Sequence, residues 1–170
     1  MPARIARWIS QSDVDWDAVY AEQLPKVHNF FRYRCASLAD AEDLTSITFE
    51  KAWRGRERYR RDKGAFSTWL FTIARNAAVD HYRARPPVVV LDEASTVAAE
   101  GTPEDESVRR SDAARLAQLL TTLTDRDREL IALKYGAEMT NRDIARATGL
   151  TESNVGTILH RAVQVLRDRW

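Results

Sequence analysis

The stretch that decides the fold lies near the carboxyl end of the chain, where residues 140–161 read TNRDIARATGLTESNVGTILHR. Apolar residues recur there at three- and four-residue intervals, which predicts helices over 141–148 and 152–168. Only three residues separate these helices, so the apolar positions on either side can form a small shared core. The spacing therefore predicts a tight helix-turn-helix, with a core made of Ile144, Ala145, Leu150, Val155 and Leu159.

Threonines and glycines mark the expected helix ends around this motif. Thr140 and Thr151 each stand at an N-cap position, three residues ahead of an Asp or Asn. Gly149 sits where the first helix of the motif should stop. The same two signals occur upstream at Thr124 and Gly136, and they predict further helices over 112–123 and 125–135.

The first half of the chain is predicted to form a bundle of at least three helices. No alternating run bounded by turn residues competes with the helical periodicity there. The third helix should begin after Gly64, with Ser67 or Thr68 able to cap it. The whole chain is therefore predicted to be all-α. The three apolar stripes are Trp16, Tyr20, Leu24, Val27, Phe31, then Ala41, Leu44, Thr48, Ala52, and finally Trp69, Leu70, Ile73, Ala77, His81.

The middle of the chain differs in composition from both ends. It opens with Pro86-Pro87, which disfavours helix at the preceding residue. Residues 86–112 carry 2 Lys/Arg against 7 Asp/Glu, whereas 1–85 carry 15 against 11 and 113–170 carry 9 against 7. We therefore predict two small helical domains joined by a flexible acidic tether, divided as an N-terminal arm (1–14), a bundle (15–85), a linker (86–111) and a helix-turn-helix domain (112–170).

Composition excludes several classes of protein. The longest apolar run, Pro86 to Leu91, is far shorter than the roughly 18 to 20 residues of a membrane-spanning helix. Cys35 is the only cysteine and the three histidines lie far apart, so we expect no disulfide, metal site or cofactor. No signal peptide is evident in the first 13 residues, and a cytoplasmic protein without membrane insertion is expected.

The helix-turn-helix is a candidate for binding duplex DNA. In this motif the second helix enters the major groove while nearby basic residues contact phosphates. Thr157 and Arg161 fall near one face of that helix, which lacks basic residues at Gly156 and Ile158. We therefore expect this helix to bind duplex DNA weakly. The alternative is that the turn only closes a trihelical core. Candidate contacts are Ser153, Thr157, Arg161 and Gln164 for bases, with Lys134, Arg142 and Arg146 for the backbone.

The end of the N-terminal bundle interleaves arginines with aromatic residues between Arg54 and Arg83. Unpaired bases offer faces for aromatic stacking and edges for an amide such as Asn76, so this run suits single-stranded DNA. The alternative is that Phe66 and Trp69 belong to the core and the basic residues are a solvated helix end. The residues alone leave these two interpretations equally open.

Two motifs carry a resemblance to a known family. Ala41-Glu42-Asp43-Leu44 with Phe49 and Trp53, followed by Trp69-Leu70-Phe71-Thr72-Ile73-Ala74-Arg75-Asn76 with Asp80 and Arg83, resembles region two of bacterial sigma factors of the extracytoplasmic-function group. Residues from Leu123-Thr124 through Arg167 resemble their region four. The resemblance covers about 15–85 and 112–168, with both motifs in the expected order and separation.

The resemblance implies a subunit of RNA polymerase that has no chemistry of its own. Region two would bind the clamp coiled coil of the largest catalytic subunit and capture flipped bases of the minus-ten element, and region four would read the minus-thirty-five duplex. Core RNA polymerase and promoter DNA are the implied partners, and an anti-sigma factor is a further candidate. By position, the clamp contacts would be Asp43, Ser46, Ile47, Glu50, Lys51 and Arg54, the minus-ten contacts Tyr59, Arg60, Arg61, Lys63, Ser67, Arg75, Asn76 and Arg83, and the minus-thirty-five contacts Arg142, Ser153, Thr157 and Arg161.

Two other functions compete with this interpretation. A stand-alone helix-turn-helix regulator would use the N-terminal bundle to sense a ligand or to dimerise, and would bind palindromic duplex sites without polymerase. An enzyme acting on nucleic acid would need clustered carboxylates or metal ligands, and the sequence offers no such cluster. We therefore expect no catalytic residues.

Overall fold

The computed structural model describes residues 14–35, 37–84 and 102–170. Over these residues it is helical and contains no strand, which confirms the predicted all-α class. A short 3₁₀ turn, Arg56–Arg58, follows the second helix, and a π-helical turn, Ala132–Gly136, continues the fifth. The helices are α1 (Trp16–Arg34), α2 (Leu38–Arg54), α3 (Phe66–Ala84), α4 (Pro103–Thr121), α5 (Asp125–Ile131), α6 (Asn141–Thr148) and α7 (Glu152–Arg169).

Helices α1, α2 and α3 pack into the N-terminal bundle around a fully buried aromatic and aliphatic core. Two buried threonines on the inner face of α2 have hydrogen-bond partners for their hydroxyl groups. Thr45 and Thr48 each donate to the backbone carbonyl one turn earlier. Asp15 and Ser37 cap α1 and α2 by accepting a backbone N–H. The central core residues are Phe30, Phe31, Leu44, Leu70 and Phe71.

The helix ends predicted for the C-terminal domain are confirmed. Thr124, Thr140 and Thr151 each accept the backbone N–H three residues on and so begin α5, α6 and α7. Gly149 ends α6 with φ of 74°, a left-handed conformation that glycine adopts without a Cβ penalty. The predicted shared core also forms, with Ile144 and Val155 completely buried.

One predicted helix cap and one predicted helix start are wrong. Helix α3 begins after Gly64 as predicted, but its helical backbone already starts at Phe66, so Ser67 and Thr68 lie inside its first turn instead of capping it. Helix α4 begins at Pro103, not at residue 112, because Thr102 accepts from Asp105 N–H and proline suits the first helical position. Residues 103–111, which the sequence predicts as linker, are therefore helical.

The two domains pack against each other. The π-helical turn Ala132–Gly136 lies on α1, and α6 lies on α3, so the buried residues of both domains form one hydrophobic cluster. The glycine at 136 serves this packing, since a Cβ there would come 3.0 Å from the backbone of Asn29 and Phe30. The predicted N-terminal arm up to residue 13, the last residue of the predicted bundle (85) and residues 86–101 of the predicted linker lie outside the described residues. None of the helices in the described ranges combines the length and the apolar character that a membrane span requires.

Candidate nucleic-acid interfaces

An aromatic cluster forms one end of the N-terminal bundle. Phe66 lies at its centre, with ring centroids 5.5 Å from Trp16, 5.2 Å from Tyr59 and 5.3 Å from Trp69. Trp53 joins through an edge contact with Trp16 at 5.5 Å and keeps about half of its surface exposed. Such edge-to-face pairs stabilise a cluster beyond the burial of its area. The cluster therefore combines a packed interior with exposed ring surface.

Basic side chains surround this aromatic cluster. The guanidinium of Arg56 lies 4.2 Å from the ring centre of Trp53, a cation–π contact. The loop between the 3₁₀ turn and α3 exposes Arg60, Arg61 and Lys63 to solvent. Arg60 is already paired, since its Nε and Nη2 each lie 3.0 Å from a carboxylate oxygen of Asp62. These contacts are fully exposed, so the pair is weak and a phosphate can replace Asp62.

Tyr59 is less free than the sequence suggests. Its ring is half-buried between Phe66 and Trp69, and its hydroxyl lies 3.3 Å from the carbonyl of Gly64, to which it donates. The tyrosine therefore anchors the basic loop as well as offering a ring. Ser67, another predicted contact, is half-buried in the first turn of α3.

Helix α3 separates the other three predicted DNA contacts that it carries, Arg75, Asn76 and Arg83. Asn76 and Arg83 are exposed. Arg75 instead turns to the other domain, where Nε lies 2.9 Å from a carboxylate oxygen of Glu129. The structure thus brings Tyr59 and the basic loop together but directs Arg75 away from them.

The predicted clamp contacts form one continuous exposed stripe along α2. They recur at intervals of three and four residues, which places them on one side of a helix. Ile47 is the apolar member and is 38% exposed, while Lys51 Nζ lies 3.4 Å from Asp80 on α3. The stripe consists of Asp43, Ser46, Ile47, Glu50, Lys51 and Arg54.

A groove of 370 Å³ borders this stripe between α1 and α2, lined by Leu24, Pro25, His28, Glu42, Thr45 and Ser46. Partial burial, and next the charge of Arg32, lowers the pKa of His28 below its ordinary value. The imidazole in the groove is thus biased toward its neutral form. The surface of this groove is mainly apolar. It lies beside the stripe on the outer face of the bundle.

The helix-turn-helix presents its predicted contacts on an exposed face of α7. Ser153, Thr157 and Arg161 follow one another at four-residue spacing, and all three are exposed. Arg161 lies 3.4 Å from a carboxylate oxygen of Asp127, and Arg142 lies 3.6 Å from one of Glu152. Both ion pairs have exposed arginines, which leaves the guanidinium groups accessible to DNA.

Ile158 does not belong to this face. It is 5% exposed and packs in the domain core together with Val155 and Ala162. The prediction that an ionic contact is missing at this position is therefore wrong, because the residue points inward. Gly156 is half-buried, and a Cβ there would meet only the amide nitrogen of Asn141 at 3.7 Å.

Sequence reasoning missed two partners at these sites. Trp16 contributes to the aromatic cluster from the start of α1, although it is 37 positions away from Trp53 in the chain. Glu129 binds Arg75 from the other domain. The cation–π contact between Arg56 and Trp53 could have been predicted from the sequence, because Arg56 follows Trp53 by three residues at the end of a helix.

Comparisons with known proteins agree with this architecture. Residues 19–86 match the family Sigma-70 region 2, and residues 113–166 match Sigma-70, region 4. The chain is 30% identical over 153 residues to the ECF RNA polymerase sigma factor SigL of Mycobacterium tuberculosis, covering 88% of this chain and 85% of SigL. It is also 30% identical over 151 residues to the ECF RNA polymerase sigma factor BldN of Streptomyces coelicolor, where it covers 87% of this chain but only 57% of BldN.

A solved structure shares the fold. The sigma factor RpoE of Bartonella quintana, crystallised with the anti-sigma factor NepR, superposes with a TM-score of 0.74 at 23% identity, covering 91% of this chain and 96% of RpoE. Two helical domains of these kinds, in this order, define a sigma-70-type transcription factor. The chain belongs to the extracytoplasmic-function group of these sigma factors, which direct RNA polymerase to promoters at transcription initiation.

Proposed function

We propose that this sigma factor opens promoters with two separate DNA interfaces and one polymerase interface, assigned to the residues described above. The exposed face of α7 reads the minus-thirty-five duplex. The aromatic cluster and its basic loop hold the melted minus-ten strand. The stripe on α2 binds the polymerase clamp. The protein carries out no chemical reaction itself.

The observation that carries this proposal is the basic rim of the aromatic cluster. Arg56, Arg60, Arg61 and Lys63 border partly exposed rings, which is the arrangement that suits a single strand: cations follow the phosphates while bases stack. Duplex DNA hides the faces of its bases, so aromatic rings add little to its binding. A stand-alone duplex regulator would have no use for this arrangement beside its helix-turn-helix.

The two DNA interfaces belong to different domains, which suits two promoter elements of different form. The predicted contacts on α7 are two short polar side chains and one arginine. Such side chains can hydrogen-bond to base edges in a major groove. An exposed amide at Asn76 on α3 suits the edge of an unpaired base. Each interface is weak alone, and attachment to polymerase raises the effective concentration of both.

An anti-sigma factor is a further proposed partner. The support is the RpoE complex, whose sigma factor shares this fold. The groove between α1 and α2 and the neighbouring stripe are exposed surfaces that an inhibitor could cover to exclude polymerase.

Transcription by purified core polymerase on a genomic DNA library, with and without this protein, tests the proposal. We expect start sites that appear only when the protein is present and that share two upstream sequence elements. Permanganate footprinting should show melted thymines around the minus-ten element. Polymerase-independent binding to palindromic duplex sites, without new start sites, would instead identify a stand-alone regulator.

A further inference from the structure

Arg161, the cation on the proposed DNA face of α7, is paired with a carboxylate from another helix. Its Nη2 lies 3.4 Å from Oδ1 of Asp127, which belongs to the first turn of α5. The two side chains differ in exposure, since that of Arg161 is 65% exposed and that of Asp127 only 13%. The carboxylate therefore lies on the protein side of the pair, and most of the arginine side chain is open to solvent.

The fold fixes the backbone at both ends of this pair. The backbone N–H of Asp127 donates to the hydroxyl of Thr124 at 3.1 Å, which is the bond that caps α5. Helices α5 and α7 pack against each other, and Ile158 and Ala162, which lie on either side of Arg161 along α7, are buried in the core. The arginine side chain is therefore the flexible part of the pair, and the carboxylate restrains it.

A second arginine of the same domain gives a useful comparison. Arg142 on α6 lies 3.6 Å from a carboxylate oxygen of Glu152, at the start of α7. Both of these side chains are well exposed, at 69% and 57%, so solvent screens the pair and neither partner holds the other in place. Of the two arginines, Arg161 is the one whose carboxylate partner is itself packed into the protein.

The orientation of a guanidinium group matters more for reading a base than for binding a phosphate. A bidentate contact with the O6 and N7 acceptors of guanine requires the planar donor fork to lie close to the plane of the base pair. Phosphate oxygens accept from a cation in many orientations and carry no sequence information. An arginine that is already restrained loses less side-chain entropy when it binds a base. The guanidinium carries five N–H donors, so one contact with Asp127 leaves a bidentate base contact available.

We propose that Asp127 is a positioning residue for promoter recognition: it orients Arg161 so that the guanidinium reads one base pair of the minus-thirty-five element, and it does not itself contact DNA. The inference rests on the proposed function, because it refines the role of Arg161 at the duplex interface. Without the carboxylate, Arg161 keeps its charge and its attraction to phosphates but loses its fixed orientation. Sequence discrimination then falls, while the general affinity for DNA does not.

Asp127→Asn tests this role in the full chain bound to core polymerase. The substitution removes the charge, keeps the size of the side chain and leaves the cap of α5 intact, because that bond uses the backbone N–H. Transcription is measured from a promoter used by the wild type and from single-base variants across its minus-thirty-five element. At the position read by Arg161, we expect the ratio of preferred to substituted promoter to fall about five-fold, part of what a bidentate base contact contributes. Transcription from the substituted promoter should stay level or rise, because a negative charge near DNA is removed.

Asp125→Asn is the matched control, since it makes the same charge change in the same helical turn on an exposed residue. The backbone carbonyl of Asp125 accepts from Nη1 of Arg34 at 2.9 Å, and this bond does not depend on the aspartate side chain. Arg161→Ala supplies a second control, because adding Asp127→Asn to it should not change the discrimination ratio further. A purely structural role of Asp127 would instead lower transcription equally with and without the arginine.

The inference is overturned if Asp127→Asn and Asp125→Asn give the same discrimination ratio, or if Arg161→Ala lowers transcription uniformly across the minus-thirty-five variants. It is also overturned if Asp127→Asn raises transcription from every variant equally, because Asp127 would then compete with DNA for Arg161. Failure of the proposed function is seen in the wild type itself, which would give no promoter-specific start sites, and this would remove both proposals. A wild type that initiates, with a ratio that does not depend on Asp127, removes the positioning role alone.

Discussion

At the scale of single residues, the aromatic cluster determines what each ring can offer to DNA. Tyr59 packs against Phe66 and Trp69 and also bonds the loop backbone at Gly64. Its replacement therefore changes both the surface for a base and the position of the basic loop. Separating these two contributions requires a variant that retains the ring.

Tyr59→Ala should reduce promoter opening more than polymerase binding, because base stacking on an aromatic ring contributes about 1 to 3 kcal/mol. Tyr59→Phe keeps the ring and loses only the hydrogen bond to Gly64, so it should open promoters nearly as well as the wild type. Stopped-flow measurement of opening on duplex and pre-melted templates checks this. Normal opening by Tyr59→Ala would remove the tyrosine from base capture.

Cys35 gives a second residue-scale prediction. Burial raises the pKa of its thiol to about 11, and the hydrogen bond with Tyr82 opposes this only in part. The folded-state pKa exceeds the ordinary value of 9.0, so unfolding releases a proton and the free energy of unfolding should fall as pH rises from about 9 toward 11.

Alkylation by iodoacetamide at pH 8 should accordingly be slow in the native protein and fast in denaturant, because the thiolate is the reactive species. Cys35→Ser provides the control for the pH dependence of unfolding. Rapid alkylation of the native protein would show that the thiol is not held in the buried environment.

At the scale of helices, α2 keeps its two sides distinct. Ala41, Leu44 and Ala52 are buried against the bundle, and the opposite side carries the proposed clamp contacts. This division means that changes on the outer side can alter binding without disturbing the core.

Replacing both Ile47 and Lys51 with glutamate should weaken association with core polymerase at least ten-fold, since it removes an apolar contact and reverses a charge. Helical content by circular dichroism should not change. Val108→Glu is a matched control, because Val108 is an aliphatic residue on α4 with 60% exposure. Equal affinities for the double variant and this control would move the polymerase interface elsewhere.

Helix α7 combines a buried side with a short polar DNA face. Ile158 belongs to the buried side, which leaves Arg161 as the cation among the exposed predicted contacts of this helix. Few ionic contacts imply a shallow dependence of DNA affinity on salt, because each neutralised phosphate adds about 0.9 to the slope.

Arg161→Ala should therefore strongly reduce transcription from intact promoters. Assays on a set of minus-thirty-five variants distinguish its role: relaxed discrimination at one position indicates base readout, and a uniform loss indicates phosphate contact. Arg167→Ala, an exposed arginine in the last turn of α7, is the control. Unchanged activity and sequence preference would exclude this face of α7 from promoter recognition.

At the scale of the whole molecule, the first helix of the C-terminal domain begins earlier than the sequence predicts. Helix α4 begins at Pro103, and Arg110 pairs with Glu106 along it at 3.0 Å. Peptide bonds in a helix resist proteases because the backbone must unfold locally to enter the active site.

Limited proteolysis with endoproteinase Glu-C should consequently cut after Glu93 or Glu100 before it cuts after Glu106. The products, identified by mass spectrometry, should then separate only under denaturing conditions, since the buried residues of both domains form one cluster. A first cut within residues 16–84 would contradict the predicted domain organisation.

The sequence by itself determined helices α5, α6 and α7 and most of the exposed contact faces. Thr124, Thr140, Thr151 and Gly149 act on backbone groups within four residues, so their effects can be predicted without knowing the fold. The periodicity of α2 likewise determines which side chains share its outer side. The start of α4 at Thr102-Pro103 could have been predicted in the same way. Its Gly-Thr-Pro sequence, however, is equally typical of a linker.

Only the tertiary structure decided how Arg75 and Gly136 are used. Glu129 is 54 residues from Arg75 in the chain, and Asp125 is 91 residues from Arg34. No local pattern encodes such pairs, because an exposed arginine and a sequestered one have the same spacing along a helix. Their partners depend on how the two domains pack, and that packing arises from the summed burial of many apolar side chains rather than from any single motif.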